Sequence, residues 1–94
     1  MAAKDALNPT LFHGSRASMR VGDLVEPTTP GYGTDELHAF ATDNPENAAQ
    51  YGSRVYKVAA EDDLVEDPYN NDEEYGNPEV RNYSSKKLRV IGEV

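Results

Sequence analysis

The residues able to do chemistry are few, and they stand far apart in the chain. In Leu11-Phe12-His13-Gly14-Ser15, two apolar residues lead into an imidazole and a Gly-Ser step follows at once. An apolar run that stops at a histidine beside a glycine fits the end of a buried strand opening into a cleft. There the imidazole reaches a ligand, and the glycine lets the backbone come close to it. Tyr32 belongs to Pro27-Thr28-Thr29-Pro30-Gly31-Tyr32-Gly33, whose prolines and glycines break both the helical and the strand period. A loop is expected, with Tyr32 as a candidate ligand-facing group. Asp67 directly precedes Pro68, which biases its backbone to an extended form and lets its carboxylate project from a strand end. Glu66-Asp67-Pro68 also reads as plain turn chemistry. His38, at the start of another apolar alternation, is expected at the surface.

The totals bound what these residues can serve. The 94-residue chain allows one small domain with a thin core. It has no cysteine, so disulfides and thiolate metal sites are excluded, and its two histidines lack the spacing of a zinc site. No metal is expected. Seventeen acidic residues against nine basic ones give a formal charge of -8. That argues against holding a nucleic-acid backbone on a basic face, though not against a small nucleotide bound in a local cleft. Imitation of nucleic acid by the acidic surface stays open as a weaker reading. No apolar run is long enough to span a membrane, and Met1-Ala2-Ala3-Lys4-Asp5 lacks the apolar core of a secretion signal. A cytoplasmic protein is the expectation.

The elements that must position the chemistry are short. Residues 1–9 read as a flexible lead-in and residues 10–94 as a single domain. Strands are expected at residues 11–13, at 23–26, over Leu37 to Thr42, over residues 54–59, and at 80–83 and 88–94, the last two joined by a turn at 84–87, while Leu64-Val65 is a brief apolar pair. In the third of these, Leu37, Ala39 and Ala41 share one face and His38, Phe40 and Thr42 the other. Asn44-Pro45-Glu46 opens a short helix, with Asn44 as N-cap, Pro45 at the first helical position and an acid in the first turn. It runs over residues 45–51 and stops at Gly52. Residues 69–79 form a second long loop. The class is α+β, with a mostly antiparallel or split sheet and one short helix. Two long loops in so small a domain cost ordering entropy without core burial, which argues for a binding site between them. The remaining tyrosines read as packing, and Lys86, Lys87 and Arg89 as a solvated turn.

The blocks Leu11-Phe12-His13-Gly14-Ser15 and Val21-Gly22-Asp23-Leu24-Val25-Glu26-Pro27 resemble the opening of the rifamycin ADP-ribosyltransferases, the Arr family. The similarity continues through Phe40-Ala41-Thr42, Val55-Tyr56-Lys57-Val58, Glu66-Asp67-Pro68, Gly76-Asn77-Pro78 and Leu88-Arg89-Val90-Ile91-Gly92-Glu93-Val94, in the same order. The resemblance implies a compact ADP-ribosyltransferase-like fold whose split sheet forms a cleft for NAD. It implies that His13 bonds the adenosine ribose, that the Gly14 backbone holds the nicotinamide carboxamide beside Ser15, and that Asp67 is the acid. The loop with Tyr32 covers the donor, and Phe40 and Thr42 fall in the same binding surface. His13 and Asp67 are then the catalytic residues.

Cleaving the bond between nicotinamide and ribose builds positive charge on the sugar, as in glycoside hydrolysis. A fixed carboxylate stabilises that charge, and an aromatic ring aligns the nicotinamide. Two departures matter. Phe40 stands at the family's tyrosine position and lacks its hydroxyl, and the segment from Gly33 to Leu37 is shorter than the part of the family's chain that holds the drug. The expectation is therefore a mono-ADP-ribosyltransferase acting on another acceptor, a protein side chain or a small molecule. The alternative is a catalytically inactive protein of the same fold that binds a partner through its acidic surface.

Overall fold

The computed structural model describes residues 10–68, 70 and 80–94. The expected lead-in over residues 1–9, nearly all of the second long loop and the Gly76-Asn77-Pro78 block lie outside the described residues. In chain order the elements are β1 (Leu11–Ser15), β2 (Leu24–Val25), β3 (Thr29–Pro30), β4 (Leu37–Thr42), α1 (Pro45–Ala48), β5 (Arg54–Ala60), β6 (Val65–Glu66), β7 (Asn82–Ser85) and β8 (Leu88–Glu93). The sheet runs β2-β8-β5-β1-β4-β7-β6, with β3 added to β4, and these pairings are antiparallel. This is a small α+β domain, mostly antiparallel sheet with one short helix.

Alternation along the strands builds the core. Leu11 pairs with Val58, Val58 with Val90, and Ala41 with Tyr83, and these side chains join Val25, Ala39, Tyr56 and Leu88 in one buried cluster. Apolar burial of this kind is what a chain without disulfides depends on. Tyr56 is buried to its ring, yet its hydroxyl donates to the Ala17 carbonyl (3.1 Å) and accepts from the Met19 N–H (2.8 Å). One phenol thereby ties the β1–β2 connection onto the sheet.

The helix begins as its residue types require. Asn44 is extended, its side-chain oxygen accepts from the Asn47 N–H at 3.0 Å, and Pro45 occupies the first turn. It ends sooner than expected, at Ala48. The Tyr51 N–H donates to the Ala48 carbonyl three residues back (3.0 Å), so the chain leaves in a turn. A Cβ on Gly14 would stand 2.7 Å from the Ala48 carbonyl carbon and closer still to its oxygen, so α1 rests directly on the β1 backbone.

Three boundaries differ for reasons of pairing that local composition does not carry. Thr29-Pro30, expected as loop, pairs with Leu37 and His38 as β3, and the Gly31 N–H donates to the Glu36 carbonyl at 3.0 Å to close this hairpin. A two-residue edge strand tolerates proline because the missing N–H is needed by no neighbour. The apolar pair Leu64-Val65 gives only Val65 to a strand, β6, which with Glu66 meets Ser84 and Tyr83. β7 covers Asn82–Ser85 and leaves only Lys86-Lys87 for the turn, because Ser84 pairs with both β4 and β6, Ser85 pairs with β4, and both are fully buried. Of the charged turn residues, Lys86 pairs with Glu36 at 2.6 Å, and Arg89 donates to Glu61 (2.6 Å) and to the Gly22 carbonyl (2.6 Å). Among the described residues no helix is long and apolar enough to cross a membrane.

Candidate functional site

The site grows out of a gap along one edge of β4. At its C-terminal end β4 pairs with β1 at a single position, Phe12 with Thr42; at its N-terminal end it pairs with β3. The His38 carbonyl accepts from the Thr28 N–H (3.3 Å), and the Phe40 carbonyl meets the His13 ring at Nδ1 (2.7 Å). Carbonyls two residues apart on a strand point the same way, so β3 and β1 flank one edge of β4 with the gap between them. His13 reaches from β1 to β4 at the edge of that gap.

Its bond fixes its chemistry. A carbonyl can only accept, so Nδ1 carries a proton, and Nε2 is the acceptor in that tautomer of the ring. A cleft of about 360 Å³ opens here, bordered by His13, Gly14, Phe40, Thr42 and Tyr32, together with Glu26, His38, Tyr51 and Asn82. That volume lies within the range of small-molecule sites.

Two aromatic rings shape the interior. Tyr32 stands edge-on to Phe40, with centroids 5.3 Å apart and planes at 87°. The Tyr32 N–H donates to Ser84 Oγ (3.3 Å), which anchors the loop over the sheet. The Tyr32 hydroxyl lies toward the Asp67 carboxylate, near enough for hydrogen bonding to add to the shift of its acidity. Its pKa is pushed up to about 12, by burial first, then by the negative charge of Asp67 and the neighbouring Tyr51, and by that hydrogen bond. Asp67 also accepts from the Asn70 N–H (3.1 Å), and its own N–H donates to the Asn82 carbonyl (3.0 Å).

His13, Gly14, Tyr32, Phe40 and Thr42 thus border one cleft. Asp67 does not border the cleft, and its carboxylate acts on the Tyr32 phenol that does. Ser15 does not border the cleft; its hydroxyl accepts from the Ala17 N–H (3.0 Å) at the end of β1. Thr42 borders it, but the Thr42 hydroxyl donates to the Arg81 carbonyl (2.9 Å) and accepts from the Asn47 side chain (3.3 Å), a network at the start of α1.

Sequence reasoning missed Glu26, His38, Tyr51 and Asn82. Glu26 had a readable signal, since Glu26-Pro27 follows β2 as Asp67-Pro68 follows β6. His38, expected at the surface, is buried, and its Nδ1 lies 2.8 Å from Ser84 Oγ. It faces the same side of β4 as Phe40, and β3 and the Gly31 backbone cover it.

The described cleft-lining residues include one carboxylate, Glu26, and neither lysine nor arginine. Such a site suits a neutral or cationic group better than an anion. Among the described residues no three histidine or acidic side chains come together to hold a metal ion. No protein-family model matches the chain, and no curated protein matches it.

Proposed function

We propose that the protein is an NAD-dependent mono-ADP-ribosyltransferase, with the compact ADP-ribosyltransferase-like split sheet that this activity uses. The observation that carries the reading is the His13–Phe40 bridge from β1 to β4, at the edge of the gap between β1 and β3, with Tyr32 and Phe40 lining the same cleft. In this reading Nε2 of His13 accepts a hydrogen bond from a ribose hydroxyl. Phe40 and Tyr32 offer faces and edges to the nicotinamide ring, and the Gly14 backbone approaches its carboxamide. The positive charge of the oxidised nicotinamide suits a cleft with an acid on its wall and neither lysine nor arginine among its described residues.

The reaction breaks the C1′–N bond of the ribose, and the electron pair leaves with nicotinamide. The cationic sugar is captured by a nucleophilic oxygen, nitrogen or sulfur of the acceptor, which loses its proton. In this reading Asp67 acts on the Tyr32 hydroxyl and so sets the ring against which the leaving group departs. Release of nicotinamide from NAD by the purified protein, with a cell extract as acceptor, tests the reading. His13→Ala and Asp67→Ala are expected to abolish release. Full activity in both would sink the assignment of these residues.

A second reading is a catalytically inactive protein of the same fold that binds a partner through its acidic surface. The engagement of Asp67 by Tyr32 and Asn70, away from the cleft wall, favours it. Absence of nicotinamide release with every acceptor, together with an unmoved melting point in NAD, would select this reading.

A further inference from the structure

The buried histidine of β4 has an unassigned nitrogen. His38 is only 4% exposed, and Ser84, its partner, is 0% exposed. Ser84 Oγ has two polar neighbours, the Tyr32 N–H at 3.3 Å and His38 Nδ1 at 2.8 Å. The Tyr32 N–H can only donate, so it uses an oxygen lone pair. The hydroxyl hydrogen of Ser84 needs an acceptor of its own, and His38 Nδ1 is the acceptor within reach. His38 is thereby held with Nδ1 bare and Nε2 protonated, the tautomer opposite to that of His13.

Gly31 makes this arrangement possible. A Cβ there would stand 2.6 Å from His38 Cε1 and closer still to Nδ1 and Cγ, so the loop backbone lies flat on the imidazole. The ring is fixed by one hydrogen bond and one covering backbone. Its Nε2–H has no protein partner among the described residues, yet none of their buried polar side-chain atoms is both sealed and unpaired. Nε2 therefore reaches open space, and the space that His38 borders is the cleft.

We propose that His38 is a ligand-binding residue, donating from Nε2 to a carbonyl-type oxygen of the bound molecule while His13 accepts from a hydroxyl. The ligand class is an uncharged or cationic ring bearing a carbonyl oxygen, attached to a hydroxylated sugar. A phosphate is disfavoured at this point because the described lining offers a carboxylate and no cationic side chain to offset its charge. The ligand class fits the proposed donor and rests on that reading; the opposed tautomers do not.

Nitrogen NMR of the two imidazoles tests both parts. In the free protein His13 is expected protonated at Nδ1 and His38 at Nε2. Ser84→Ala, which removes the hydroxyl and little volume, is expected to leave His38 a mixture of tautomers with His13 unchanged. Saturating NAD, or nicotinamide as the smaller probe, is expected to shift the His38 Nε2–H resonance. His38→Phe is expected to weaken probe binding about tenfold, the loss of roughly one hydrogen bond, with His38→Gln restoring part of it. His38 protonated at Nδ1, or a His38 resonance that neither probe moves, overturns the proposal. A shift with nicotinamide and none with NAD retains His38 as a ligand group while removing NAD as the donor.

Discussion

Gly14→Ala places the strongest demand on the geometry described. The added methyl carbon would stand 2.7 Å from the Ala48 carbonyl carbon and closer still to the oxygen. Ordinary contact needs about 3.5 Å or more, and both partners are backbone, so neither a rotamer change nor a side-chain shift relieves the overlap. Either α1 lifts from β1 or β1 bends away from β5. Overpacking that moves backbone costs about 1–3 kcal/mol, and this site belongs near the upper end. A domain of this size has a total stability of roughly 5–14 kcal/mol, so the variant is expected to fold, with a melting temperature lower by roughly 10–20 °C. Gly92→Ala is the control, because its Cβ meets only the Lys57 Cβ at 3.9 Å. That change is expected within about 1 kcal/mol of neutral. Urea unfolding followed by circular dichroism gives both values. Since Gly14 and Ala48 both border the cleft, Gly14→Ala should also weaken whatever binds there. Equal stability for the two variants would refute the seating of α1 on β1, and with it the described floor of the cleft.

Other outcomes follow from the same contacts. Titrated by ultraviolet absorbance, one tyrosine should ionise only near pH 12, and that step should vanish in Tyr32→Phe and fall only part of the way toward 10 in Asp67→Asn, since burial, the largest cause, remains. Because the folded state favours the neutral phenol, Tyr32 contributes its stabilisation fully below pH 10 and loses it as pH rises from 10 toward 12. The wild type should therefore lose more stability over that interval than Tyr32→Phe. Asn44→Ala deletes the acceptor for the Asn47 N–H and is expected to cost about 1 kcal/mol by denaturant unfolding.

Much of the framework was legible in local sequence. The alternation of Leu37 to Thr42 put Ala39 and Ala41 on one face and Phe40 on the other, but not which residues are buried, since Leu37 is exposed and His38 and Thr42 are buried, and Asn44-Pro45 marked the start of the helix. His13 was legible because an apolar run ended on it. His38 was misplaced because its burial is decided by β3, a two-residue strand containing proline that only its pairing with β4 reveals. The same holds for Ser84 and Ser85, whose composition reads as turn and whose neighbours in space bury them. Asp67 lies near the site, yet its distance from the wall depends on how the Tyr32 loop folds back, which no spacing encodes. Glu26, Tyr51 and Asn82 reach the cleft from three separate segments, so their convergence is a property of topology.

The central claim is that a dinucleotide enters the cleft bridged by His13. Differential scanning of the intact protein with NAD tests it most directly. At one hundred times the dissociation constant, a ligand selective for the native state adds about 2.7 kcal/mol, which raises the melting temperature by roughly 10–20 °C. The account predicts that rise in the wild type and most of it lost in His13→Ala. A melting temperature indifferent to NAD, or raised equally in both proteins, would contradict it.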